Sequence, residues 1–161
     1  MAASRGLLED RRILIVDDDP DIRESVEVAF RSEGAQTLTC GDGNSAVRLA
    51  LEEKPDAVIL DMMLPGRSGF LVIEKIKGYE DSPVIVMITA NEGKRHKDFA
   101  QGLGADLYLQ KPMSLPHLVE ETSNLLERES KVRKSGSKKS AAGSKRAKAA
   151  KSEDPEEEKA D

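Results

Sequence analysis

Ile13-Leu14-Ile15-Val16 is an unbroken aliphatic run that stops abruptly at three aspartates, Asp17-Asp18-Asp19. A run with no polar alternate belongs to a strand covered on both faces, as in the middle of a parallel sheet. The pattern recurs. Ala57-Val58-Ile59-Leu60 runs into Asp61, and Val84-Ile85-Val86-Met87-Ile88 runs into Thr89. Gln36 to Cys40 reads as a weaker strand and Leu107-Tyr108-Leu109 as a short fifth one.

Helical patterns fill the intervals. Asp19-Pro20 offers an N-cap followed by proline at the first helical position. Ile22, Val26, Ala29 and Phe30 then mark one helix face, which Gly34 stops. Asp42 can cap a second helix carrying Ala46, Val47 and Ala50, ending before Pro55. Phe70, Ile73 and Lys77 lie on a third, and Phe99 and Leu103 on a weakly amphipathic fourth closed by Gly104. The fifth begins at Ser114 and stacks Leu115, Leu118, Val119, Thr122, Leu125 and Leu126. Strict β-α alternation with short connections predicts an α/β, doubly wound parallel sheet.

Charge divides the 161 residues. Net charge is −9 over residues 1–127, +9 over 128–151 and −5 over 152–161. From Lys131 onward the one large apolar residue is Val132. Such a stretch cannot offset ~1–2 kcal/mol of backbone entropy per residue by burial. The expected division is an N-terminal extension over 1–10, one folded domain over 11–127, and a disordered tail over 128–161. The basic part of that tail is a candidate non-specific contact for polyanions, with no aromatic residue to stack on bases. The chain shows no stretch of ~20 apolar residues and no signal-peptide core, so a cytoplasmic protein without membrane contact is expected. The single cysteine, Cys40, excludes an internal disulfide. His96 and His117 have no metal-ligand spacing and read as surface or cap residues.

In open parallel sheets, ligands bind beyond the carboxyl ends of the strands, at a switch in strand order. That rule selects Asp17, Asp18, Asp61 and Thr89, with Lys111-Pro112 after the fifth strand. Taken singly, Asp19 is a helix cap, Lys111 a surface lysine, and each acid a solvated loop residue. Together they describe carboxylates that cannot all ionise comfortably without a cation. Few hard oxygen donors with positions left open suit Mg²⁺ rather than Zn²⁺. A carboxylate beside a metal, an ammonium and a hydroxyl is also what phosphoryl transfer requires.

Four segments carry a resemblance to a known family: Ile-Leu-Ile-Val-Asp17-Asp18-Asp19-Pro, Ile-Leu-Asp61-Met-Met-Leu-Pro65-Gly66, Ile-Thr89-Ala90 and Tyr108-Leu-Gln-Lys111-Pro112. In order and spacing they resemble the bacterial two-component response-regulator receiver domain, over roughly residues 11–127, here in its stand-alone form. The resemblance implies a flavodoxin-like strand order 2-1-3-4-5 with five helices. It implies that Asp61 is the phosphoacceptor and that Mg²⁺ (or Mn²⁺) is held by Asp17, Asp18, Asp61 and the backbone carbonyl of Met63. Thr89, Ala90 and Lys111 would contact the phosphoryl group, Tyr108 would be the aromatic switch residue, and Lys111–Pro112 would be a cis bond. Met63 and Asn91 would flank the path of the water that hydrolyses the phosphoryl bond.

The implied function is a phosphorylation-controlled signalling switch rather than a metabolic enzyme. Its partners would be a sensor histidine kinase or histidine phosphotransfer protein and an unidentified downstream protein. The competing expectation is a phosphate-independent receiver acting as a binding scaffold. Such relatives usually lack a key residue, and this chain keeps all five. A Mg²⁺-dependent phosphatase would place a second acid two residues after the nucleophile, where this chain has Met63.

Overall fold

The computed structural model describes residues 5–90 and 94–135. Within them five strands alternate with five helices. The strands are β1 (Arg12–Val16), β2 (Gln36–Cys40), β3 (Ala57–Asp61), β4 (Val84–Thr89) and β5 (Leu107–Gln110). The helices are α1 (Pro20–Arg31), α2 (Gly43–Glu53), α3 (Gly69–Lys77), α4 (Lys94–Leu103) and α5 (Leu115–Ser135). All strand pairs are parallel and the order is β2-β1-β3-β4-β5. The doubly wound α/β architecture and the 2-1-3-4-5 order expected from the sequence are therefore present.

The period-two alternation of strand side chains explains why the central runs are wholly apolar. Ile13, Ile15, Ala57, Ile59, Val84, Val86 and Ile88 face α1 and α5. Leu14, Val16, Val58, Leu60, Ile85 and Met87 face α2, α3 and α4. Truncating one such residue, for example Ile59 to Ala, costs about 2–5 kcal/mol. Helix starts follow the sequence signals. Asp19 accepts from the backbone N–H of Asp21 and Ile22, Asp42 from Ser45, Ser68 from Leu71 and Ser114 from His117. Gly34, after α1, takes φ +93°, a region that side chains with a Cβ rarely adopt.

Four local expectations are corrected. The segment assigned to an N-terminal extension contributes Leu8, fully buried, to the core between α1 and α5. Backbone bonds to Glu33 hold it there, from Leu7 to the side chain and from Leu8 to the carbonyl. Helix α5 does not end near residue 127 but continues to Ser135. Extending an existing helix needs no new nucleus, so the charged residues after Leu126 prolong it without an apolar face. Arg11 also donates to Ser130 at 3.2 Å. The rest of the tail, residues 136–161, lies outside the described residues.

On α4 the buried residue is Ala100, whereas Phe99 is 55% exposed and sits edge-on to Phe70 with ring centroids 4.9 Å apart. His96, read from the sequence as a surface or cap residue, is half-buried and stacks from α4 on Phe70, with ring centroids 6.0 Å apart. Aromatic packing along the α3–α4 seam thus replaces burial beneath α4. Among the described residues no helix is long and apolar enough to cross a membrane.

Candidate functional site

The chain leaves β1 toward β2 on one side and later returns to β3 on the other, so a crevice opens beyond the ends of β1 and β3. Asp17 follows β1 directly and Asp61 is the last residue of β3. Together with Asp18 they place carboxylate oxygens within 4.8 Å of one another. Asp17 and Asp61 are buried and Asp18 is exposed at the mouth. The strands carry these groups into the crevice because the apolar runs behind them fix the register, Val16 against Leu60 and Asp61 against Ile88.

Asp17 is held on several sides. Its backbone N–H donates to the Cys40 carbonyl at 3.2 Å, tying the end of β1 to the end of β2. Its Oδ1 accepts from the Asp19 backbone N–H at 2.9 Å, and its Oδ2 from Lys111 Nζ at 3.4 Å. Asp19 itself is occupied as the cap of α1 and stays outside the cluster. Lys111 Nζ also lies 3.7 Å from Asp61 Oδ1, so one ammonium bridges both buried carboxylates. Its backbone N–H donates to the Thr89 carbonyl at 2.8 Å, which fixes the loop after β5 to the end of β4. The Lys111–Pro112 peptide is cis, as expected.

Burial, and next the Asp17 carboxylate, hold the Asp61 carboxyl above its ordinary range. Lys111 and the Met63 backbone N–H pull in the opposite direction. The balance is that of a buried acid short of positive charge. Three hard oxygen donors, one exposed to solvent, fit a divalent cation of the Mg²⁺ class with several waters retained.

Thr89 lies one residue beyond Ile88, the register partner of Asp61, and its side chain is fully buried. Ala90 follows it and is exposed. Tyr108, in β5, pairs with Met87, packs on the α2–α3–α4 side, and has a buried hydroxyl without a hydrogen-bond partner among the described residues. Burial raises its pKa. Met63 is 67% exposed on the loop after β3. That loop folds back so closely that a Cβ at Gly69 would fall 2.9 Å from the Asp61 carbonyl and the Met62 Cα. Asn91, the second residue expected beside the water path, lies outside the described residues.

Sequence reasoning missed Arg23, which reaches from α1 to the Asp17 carbonyl at 2.8 Å. A long side chain bonding to main chain leaves no pattern in sequence. It also missed the brace on the loop after β3, where Arg67 Nε donates to Asn44 Oδ1 at 2.9 Å.

Residues 13–123 match the family described as the response regulator receiver domain. Among solved structures, the chain is similar to a CheY-like response regulator receiver domain protein from Methanospirillum hungatei JF-1. That match has 26% identity and a TM-score of 0.70, covering 75% of this chain and 97% of the other. A LuxR-family two-component response regulator from Aurantimonas sp. SI85-9A1 matches at 29% identity and TM-score 0.67, over 73% and 85% of the two chains. The receiver domain of sensor histidine kinase PA1611 from Pseudomonas aeruginosa PAO1 matches at 28% identity and TM-score 0.67, over 73% and 98%. That structure has a magnesium ion coordinated in its active-site cleft.

Proposed function

Because the chain belongs to the response regulator receiver domain family, we propose that it is a phosphorylation-controlled switch that accepts a phosphoryl group on Asp61. The observation that carries this reading is the meeting of Asp17, Asp18 and Asp61 at the β1–β3 crevice with Lys111 Nζ against two of them. The donor would be the phosphohistidine of a sensor histidine kinase or a histidine phosphotransfer protein. An Asp61 carboxylate oxygen forms the new O–P bond as the N–P bond to the donor imidazole breaks, and the released imidazole nitrogen takes its proton from solvent. Asp61 is suited to attack because its carboxylate is poorly solvated and flanked by another negative charge.

Lys111 would neutralise oxygens of the transferring group. Thr89, with the backbone N–H of Ala90, would bind the oxygens that remain. Asp17, Asp18, Asp61 and the Met63 carbonyl are the groups that would hold Mg²⁺, which supplies charge neutralisation for the phosphoryl oxygens when bound. The product is an aspartyl phosphate on the protein itself, so the chain acts as acceptor and not as a turnover enzyme. Output would pass through protein–protein contact at the α4–β5 surface, as Thr89 moves toward the phosphoryl group and Tyr108 takes up the vacated space. A cytoplasmic location follows from the kinase partner.

The test is intact mass after incubation with acetyl phosphate, with and without Mg²⁺. Addition of one phosphoryl group only when Mg²⁺ is present supports the reading. A chain that binds its partners equally well without ever gaining mass would instead be a phosphate-independent scaffold.

A further inference from the structure

Asp17 has one more polar group, its main-chain carbonyl, and a residue outside the acidic cluster engages it. Arg23, the fourth residue of α1, donates from Nη1 to that oxygen at 2.8 Å. The guanidinium has room there because position 41 is glycine. A Cβ on Gly41 would lie 2.9 Å from Arg23 Nη1, yet 3.7 Å from the Asp17 oxygen and 3.8 Å from the Asp18 Cα. An alanine would therefore displace the guanidinium while leaving the backbone of the β1–α1 loop in ordinary contact.

The carbonyl that Arg23 binds belongs to the planar peptide joining Asp17 to Asp18. Arg23 pins the carbonyl end of that plane, next to an Asp17 whose own N–H, Oδ1 and Oδ2 are committed to Cys40, Asp19 and Lys111. That plane fixes the N–Cα bond of Asp18, about which its side chain is oriented. Asp18 is the exposed member of the cluster, so packing constrains its carboxylate least of the three.

We propose that Arg23 is a positioning residue for the divalent-cation site, holding the Asp17–Asp18 peptide so that Asp18 faces Asp17 and Asp61, with Gly41 keeping its space clear. This deepens the reading of the cluster as a Mg²⁺ site and rests on it. Groups that orient ligands from behind change metal affinity by roughly 10–100-fold when removed.

The experiment titrates Mg²⁺ into the full chain by calorimetry and follows the Asp18 amide by NMR. Each variant is also melted without metal. Arg23→Ala should weaken Mg²⁺ binding about tenfold and shift the Asp18 amide, and Arg23→Lys should recover most of the affinity. Gly41→Ala should reproduce the loss with Arg23 still present. The Arg23→Ala/Gly41→Ala double variant should be no weaker than either single variant, because both act through one hydrogen bond. Wild-type affinity in both Arg23→Ala and Gly41→Ala, while Asp18→Ala loses Mg²⁺, would overturn the role of Arg23 and leave the metal site standing. A loss confined to melting temperature would overturn it equally, by making Arg23 structural only. If Arg23→Ala does not fold, Gly41→Ala alone decides. A wild-type chain that binds no Mg²⁺ overturns the metal reading and this inference with it.

Discussion

Lys111 and Asp17, 94 positions apart in the chain, meet at 3.4 Å because β5 and β1 end on the same side of one parallel sheet. Their pairing is what keeps two buried carboxylates tolerable, since the same ammonium stands 3.7 Å from Asp61.

Removing that ammonium should therefore destabilise the metal-free protein. Lys111→Ala is expected to lose about 1–2 kcal/mol at pH 7, between the cost of breaking an exposed pair and that of breaking a fully buried one. Urea unfolding in the absence of Mg²⁺ measures it. The deficit should shrink as the carboxylates protonate at acid pH.

Asp61 gives the opposite sign. Its carboxyl is held above the ordinary value of 3.8 by burial and then by Asp17. A folded-state pKa above the unfolded one contributes stability below the unfolded pKa, and that contribution is lost as pH rises through the folded value. At neutral pH the ionised Asp61 is thus a liability in the metal-free fold. Asp61→Asn should melt higher than the parent at pH 7 without Mg²⁺, with the gap narrowing toward pH 3.5. Mg²⁺ should raise the parent's melting point more than the variant's.

The Tyr108 hydroxyl is buried without a hydrogen-bond partner among the described residues. Deleting it removes a desolvated group and breaks no bond to a described residue, so Tyr108→Phe should be neutral or stabilising by up to about 1 kcal/mol. Thermal unfolding of the unphosphorylated protein tests this. A clear loss of stability would mean that the hydroxyl is bonded in solution.

Met63, two residues after Asp61, is 67% exposed, so its side chain is largely free of packing. An apolar, flexible side chain there can crowd the approach of water and offers no hydrogen bond to orient it. Phosphorylated Met63→Asn should lose its phosphoryl group faster than the parent, by a factor of about ten, or ~1.4 kcal/mol of barrier. First-order decay at fixed Mg²⁺ and pH is the readout. Equal rates would assign control of lifetime to other residues.

Much of this architecture was legible because strand-end chemistry is local. The run Ile13–Val16 followed by Asp17, and Ala57–Leu60 followed by Asp61, encode both a buried strand and the group it delivers. Capping residues Asp19, Asp42 and Ser114 fixed helix starts in the same local way. What stayed hidden depends on tertiary context. Leu8 has no periodic partner to announce its burial, and only contact with α1 and α5 explains it. Ala100 rather than Phe99 faces the sheet because the orientation of α4 is set by the Phe70–His96–Phe99 seam, which crosses two helices. The last two turns of α5 follow from continuity with the helix before them, although their composition alone reads as disordered. The hydrogen bond from Arg23 to the Asp17 carbonyl has no sequence signature at all.

The most direct measurement is peptide-level localisation of the phosphoryl group after reaction with acetyl phosphate and Mg²⁺, with the aspartyl phosphate trapped by borohydride reduction. The account predicts a single modified residue, Asp61, and no incorporation in Asp61→Asn. Label on another residue of the parent chain, or undiminished label in Asp61→Asn, would contradict it.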